Sequence, residues 1–363
     1  MMKDDNCFAD VPVGYNLIGR VINTEGEAWD DLGDIIPQGY YPALVDSSDK
    51  LKKLPVNKRL RSGIRVIDSM LPIGLGQSVV LLSGTGIGTS TLLSMIIHNN
   101  DADINVIGII GDRERVVWDF LKRNLKKEDF SRSVVVVATS QEPAKNQLRA
   151  AYMCTAIAEY FRDQGKNVML IIDSMTRVAY AQREIDMTNG KMPIERGYTS
   201  SVLEMLPKLM ARSGNTKDGS ITAIYTSLYG IDDLDNPIVD KFYSMLDSRI
   251  VLSRRLANKN HYPAIDLFKS FSKNSKQLNG EQIQKAGERI KELITLYNNY
   301  EKTIDSGYYS AEQSDELKSA IKLHEKIEEF LTQEETEFSY FNETIEKLSE
   351  ISGIEIPRKE YEE

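Results

Sequence analysis

Between residues 78 and 253 the chain carries six short segments of nearly unbroken apolar character. They are SVVLLSG (78–84), INVIGIIG (104–111), SVVVVATS (133–140), NVMLIIDS (167–174), SITAIYTSL (220–228) and SRIVLS (248–253). They are rich in β-branched residues and lack the alternation of a strand with one wet face. This is the pattern of parallel strands covered on both sides. Amphipathic stretches lie between them, for example 144–164 and 199–212. Alternation of this kind predicts an α/β fold with a doubly wound parallel sheet.

The flanks read differently. Residues 1–62 form a lead-in punctuated by Gly and Asp, with room for two strands. Residues 63–277 hold the strand–helix pattern, and from 278 onward the period becomes helical. Ile283, Ile290, Leu293, Ile294 and Tyr297 fall on one face, as do Leu317, Ile321, Ile327, Phe330 and Leu331. SGYYS (306–310) breaks the two, and Ser310 with Gln313 fits a capping box. The tail, 278–363, is therefore expected to be an all-helical domain with a solvated Glu- and Lys-rich face.

Composition narrows the function. The chain has 363 residues, 41% of them apolar, which is material for about two domains of roughly 150 residues each. The formal net charge of −9 argues against a nucleic-acid partner bound through phosphate neutralisation. Of the two cysteines, Cys7 lies in a polar N-terminal stretch and Cys154 in a predicted buried helix, so a disulfide is not expected and a reducing, cytoplasmic setting fits. MMKDDNCFADVPVG lacks the basic and apolar regions of a signal peptide. No apolar run approaches the ~18 residues of a membrane span. His98, His261 and His324 are scattered and make no metal-site spacing with the cysteines.

One segment carries chemistry. Ser83-Gly84-Thr85-Gly86-Ile87-Gly88-Thr89-Ser90-Thr91 follows a predicted strand and opens a helix, the context of a Walker A loop. Glycines let the backbone wrap a phosphate, and the helix N-terminus offers free N–H groups. Against G-x-x-x-x-G-K-[ST], Gly88 is the sixth position and Ser90 the last. Ser83 stands in place of the first Gly, and Thr89 in place of the Lys. Taken alone, the loop fits equally a Gly-rich turn with no ligand. Asp173 ends the strand VMLIID, where a Walker B Asp would hold Mg²⁺ through water; a turn or helix cap is the alternative reading.

SGTGIGTSTLL resembles the P-loop of the flagellar and type III secretion ATPases, relatives of the rotary ATP synthase catalytic subunits. The resemblance continues through RSVVVVATS, TAIAEYFRDQGKNVMLIIDSMTR, AQREI, ERGY, GSITAIYT and IVLSRRLANKNHYPAID, and spans about Val11 to Gly353. DDLDNPIVD (232–240) and KLHEKIEEFL resemble the export branch rather than the ATP synthase branch. The resemblance implies a RecA-like P-loop core with a parallel sheet, a C-terminal helical domain, and a cytoplasmic hexamer with nucleotide between neighbours. It implies a place beneath a membrane export gate, with stator and stalk proteins, chaperones and secretion substrates as partners.

Carried over residue by residue, the resemblance assigns ATP or ADP binding to Gly84, Gly86, Ile87, Gly88, Thr89, Ser90 and Thr91, and Mg²⁺ to Ser90 and Asp173. Tyr262 in HYPAID falls where an aromatic ring packs on adenine, the alternative being a core tyrosine before a proline turn. Asp112, Arg113, Arg177 and Lys273 fall at catalytic positions. Thr89 replaces the P-loop Lys. Asp112 in GDRER stands where the family has the Glu that positions the attacking water, and its carboxylate is drawn back by one C–C bond, ~1.5 Å. Misplacement of that size costs about 10²-fold in rate. Lys273 in SFSK replaces the arginine finger, which is worth about 10³–10⁵ in rate and whose planar fork Lys lacks. VPVGYNLIGRVINTEGEAWDDLG resembles the stretch that follows the family's N-terminal β-barrel, so the resemblance implies a chain without the barrel or a start codon upstream. Three functions follow: a slow export ATPase, a non-catalytic subunit beside an active paralogue, and a subunit of a rotary ATPase-like motor. DDLDNPIVD and the helical tail weigh against the last.

Overall fold

The computed structural model describes residues 10–45, 53–228, 237–246, 248–305 and 315–361. Cys7, most of DDLDNPIVD, the SGYYS break and the Ser310–Gln313 capping box lie outside the described residues.

All six apolar segments are strands of one sheet. The sheet contains β1 (Val21–Ile22), β2 (Ser78–Ser83), β3 (Ile104–Ile110), β4 (Ser133–Ala138), β5 (Asn167–Asp173), β6 (Ser220–Leu228), β7 (Ser248–Val251) and β8 (Phe271–Ser272). Their spatial order is β8-β7-β2-β6-β5-β3-β4-β1. Every pairing among β1 to β7 is parallel, for instance Thr226↔Leu81 and Ile107↔Ile171, and only β8 runs antiparallel, Ser248↔Ser272. A two-residue strand, Gly214–Asn215, adds antiparallel to the start of β6.

Alternate residues of each strand divide between two cores. Val79 and Leu81 of β2 join one, Val80 and Leu82 the other; Met169 and Ile171 of β5 oppose Val168, Leu170 and Ile172. The near-continuous apolar runs are thus the signature of two buried faces. Among the described residues, eight longer helices and one shorter cover them: α1 (Arg65–Met70), α2 (Thr89–Asn99), α3 (Ala144–Asp163), α4 (Met175–Thr188), α5 (Ser200–Met210), α6 (Pro237–Met245), α7 (Glu281–Asp305), α8 (Asp315–Leu331) and α9 (Phe341–Ser352). Ile157 and Phe161 of α3, Val178 of α4, Leu206 of α5 and Phe242 of α6 pack on one face. Ile67 of α1 and Ile97 of α2 pack on the other, in the same contiguous cluster as Ile290 of α7, Phe330 of α8 and Leu348 of α9. The C-terminal helices therefore share the core of the sheet's second face. No helix among the described residues is long and apolar enough to cross a membrane.

The lead-in is more deeply built in than its composition suggests. Val11–Val13 pairs with Gly39–Tyr41, β1 joins the main sheet beside β4, and Val11, Val13, Leu17 and Ile22 are buried.

Candidate functional site

β2, β3, β5 and β6 all end at one edge of the sheet, and Ser83, Asp112 and Asp173 lie at those ends. A crevice outside the carboxyl ends of parallel strands is where open α/β folds bind ligands. Ser83 closes β2; residues 84–88 turn, and Thr89 opens α2. Gly88 is the N-cap, with φ of +92°, a region that glycine enters without a Cβ penalty. A Cβ there would stand 3.2 Å from Tyr262 Cε1, so the tyrosine ring lies against the loop. Gly86 faces open space, with nothing within 4 Å of its Cβ position. Gly86 thus leaves the backbone cradle open, whereas the Ile87 side chain is buried in the core.

Thr89 does not reach into the cradle as a lysine would. Its Oγ1 donates back across the loop to Ser83 Oγ at 2.7 Å. The two residues that depart from the Walker A pattern therefore bond to each other. Ser90 and Thr91 follow in the first turn of α2, with Ser90 exposed at the helix start.

Asp173 ends β5 and is followed by α4, whose cap is Ser174: its Oγ accepts from Arg177 N at 3.4 Å. Asp173 is thus left out of the capping role. Its carboxylate accepts from Thr226 Oγ1 at 2.5 Å. Burial pushes its pKa up to about 6, the Asp112 charge adds to that, and Thr226 and Arg177 oppose it. Asp112 follows β3 through Gly111, and burial raises its pKa against the pull of Arg177. Gly111 has φ of +76°, and a Cβ there would stand 2.7 Å from Arg177 Cβ, so Arg177 crosses over its backbone. Asp112, Asp173 and Arg177 form one electrostatic cluster at the strand ends. The Asp173 carboxylate and the Ser90 hydroxyl are hard-oxygen donors of the kind that Mg²⁺ takes.

Two predicted residues stand apart. Arg113 is exposed, at the N-cap of the short helix Glu114–Asp119. Lys273 follows edge strand β8, with β7 between it and β2, and is exposed. Neither is drawn into the strand-end cluster.

Below the loop a cleft of about 830 Å³ opens between Gly88, Thr91 and Tyr262 on one side and Phe330 and Gln333 on the other. Tyr262 is 38% exposed, so it is not a core tyrosine. Its carbonyl accepts from Gln333 N at 2.9 Å. Gln333 also accepts from Arg65 N at 2.9 Å and donates to Gly63 O at 2.8 Å. Arg65 Nε donates to Phe330 O at 3.1 Å, and its guanidinium pairs with Glu337. Thr226, Arg65 and Gln333 were not singled out by sequence. Thr226 lies one residue inside the SITAIYTSL segment's polar end, a weak signal; Arg65 and Gln333 carry none.

The family model for the ATP synthase alpha/beta family, nucleotide-binding domain, matches residues 63–272, and that for the T3SS EscN ATPase C-terminal domain matches 280–350. The flagellum-specific ATP synthase of Treponema pallidum is 44% identical over 346 residues, covering 95% of this chain and 77% of that protein. The chain belongs to the flagellar and type III secretion ATPase family. The type 3 secretion system ATPase of Xanthomonas euvesicatoria is 37% identical, over 94% of this chain and 77% of that one. A solved structure of a prototypical ATPase from the type III secretion system of pathogenic bacteria superposes with a TM-score of 0.90 at 38% identity, covering 94% of this chain and 99% of that one. The assembled ATPase EscN of enteropathogenic E. coli, solved in complex with its central stalk EscO, gives 0.88 at 38% identity, covering 94% and 83%.

Proposed function

We propose that this chain is an export-ATPase subunit that binds Mg-nucleotide and hydrolyses it poorly or not at all. The observation that carries this reading is Thr89. It stands where the P-loop lysine would be, and its hydroxyl is committed to Ser83 at 2.7 Å. The backbone cradle supports retained phosphate binding, and the Tyr262 cleft supports a base site beside it. Ser90 and Asp173 would hold Mg²⁺, which supplies charge neutralisation at the phosphates. The shortened carboxylate at Asp112 and the fork-less Lys273 both weaken groups that act mainly in the transition state.

The exposure of Lys273 on an edge strand, away from its own P-loop, supports a role in a neighbouring subunit's site. Kinship with EscN, solved assembled and with its central stalk, supports an oligomer and a stalk-like partner; a hexamer, stator-like partners and a cytoplasmic place at an export gate belong to the same reading. A second reading, a non-catalytic subunit beside an active paralogue, draws on the same three substitutions.

Phosphate release from Mg-ATP tests the proposal. Thr89→Lys alone tightens nucleotide binding and restores little turnover. Thr89→Lys, Asp112→Glu and Lys273→Arg together exceed it by far, at concentrations where subunits associate. Wild-type turnover equal to the triple variant's would overturn the reading, as would full activity from the single change.

A further inference from the structure

A nucleotide site without its lysine lacks a cation at the phosphates, and one basic side chain is tied to this loop from outside it. Arg254 opens the short helix Arg254–Asn258, which follows β7 next to β2. Its Nη2 donates to Thr85 O at 2.8 Å, one residue before Gly86 in the cradle. Arg254 is exposed, and among the described residues this is its one hydrogen bond and it has no ion pair. Three other cations around the site face carboxylates, while Lys347 lines the far side of the cleft beside Glu350 and Ile351 and not the loop. Arg65 pairs with Glu337, Lys326 pairs with Glu350 at 2.9 Å, and Arg177 faces Asp112 and Asp173.

We propose that Arg254 is the phosphate-binding cation of this site, standing in for the absent lysine toward the polyphosphate of a nucleoside di- or triphosphate. The inference rests on the reading of 83–91 as a nucleotide-binding loop. A guanidinium has five donors in a rigid plane. One N–H held by Thr85 O fixes the plane at the rim of the loop, and the remaining donors stay available for phosphate oxygens. Anchoring on backbone rather than on a carboxylate leaves the positive charge uncompensated until an anion arrives. A lysine in α2 would approach from the loop's own helix, whereas Arg254 approaches from the adjacent strand.

Calorimetry on the full chain with Mg-ADP, and separately with inorganic pyrophosphate, tests this in a double-mutant cycle. Arg254→Gln weakens both ligands about ten- to a hundredfold, the range of one charge-assisted contact. Arg254→Lys recovers part of the loss. In the Thr89→Lys background the same Arg254→Gln change costs less than about threefold, because the restored lysine takes over the role. Arg254→Met repeats the test with a different neutral side chain, and unchanged melting of these variants establishes that they are folded. Equal losses in both backgrounds, or no loss in either, overturn the substitution of one cation by the other. Binding by Thr89→Lys but not by wild type overturns it while leaving the nucleotide-binding loop intact. Absence of binding in both overturns the nucleotide reading itself and the inference with it.

Discussion

Asp173 shows how much one buried carboxylate costs at this site. It is enclosed at the end of β5 with a single hydroxyl partner, and burial lifts its pKa to about 6. An unfolded aspartate titrates near ~3.9. Between about pH 4 and pH 6 the folded chain therefore keeps a proton that the unfolded chain has released. Stability falls as pH rises across that window and levels above it. In nucleotide- and magnesium-free buffer, Asp173→Asn should be more stable than wild type by about 1–3 kcal/mol at pH 7, and the difference should vanish near pH 4. Urea unfolding across that range measures it. A variant less stable than wild type at pH 7 would mean that the carboxylate is stabilised by Arg177 more than burial penalises it. A divalent cation bound at Asp173, as proposed above, would offset that cost by favouring the ionised carboxylate.

At the scale of elements, the segment between α8 and α9 fastens the Tyr262 cleft to the sheet. Arg65 of α1 holds Phe330 O, Thr332 O and Glu337, while Gln333 bridges Gly63, Arg65 and the Tyr262 carbonyl. His261 Nδ1 adds a contact to Glu328 at 2.8 Å. Tyr262 thus owes its position to a helix connection far along the chain. Arg65→Met should cost about 2–4 kcal/mol, since carbonyls and a carboxylate lose a charged donor together. It should also weaken Mg-ADP more than pyrophosphate, because the ring beside Gly88 loses support while the phosphate cradle does not. Denaturant melts and calorimetry read the two effects. Equal weakening of both ligands would count against a selective role at the base.

For the whole molecule, the decisive feature is one core shared by the sheet and the C-terminal helices. Ile283, Ile290, Ile327, Phe330, Ile345 and Leu348 are buried in the same cluster as Ile67, Leu93 and Ile97. Removing residues 280–363 would expose that face of α1 and α2 to water, a large contiguous apolar patch. The truncated chain should lose its cooperative unfolding transition and aggregate. A soluble 1–279 fragment with a sharp melt would show that the sheet and its own helices suffice.

How much of this was legible in the sequence follows from how local each signal is. The six strands, the helices at 144–164 and 199–212, and the loop at 83–91 are written in runs, periods and glycine spacing. Each residue there states its own environment, and the backbone needs nothing else to choose strand, helix or turn. The family resemblance added expected roles for Asp112, Arg177 and Tyr262 by position. The partners of those residues were decided elsewhere. Thr226 meets Asp173 because β6 and β5 are neighbours in the sheet; Arg254 meets Thr85 because β7 lies beside β2. Gln333 and Gly63 are 270 positions apart and bond directly. Such contacts leave no spacing to read, because the tertiary structure selects them from hydroxyls, amides and guanidiniums that look alike along the chain. For the same reason the sequence located the missing lysine, while only the packed strands placed another cation on the loop.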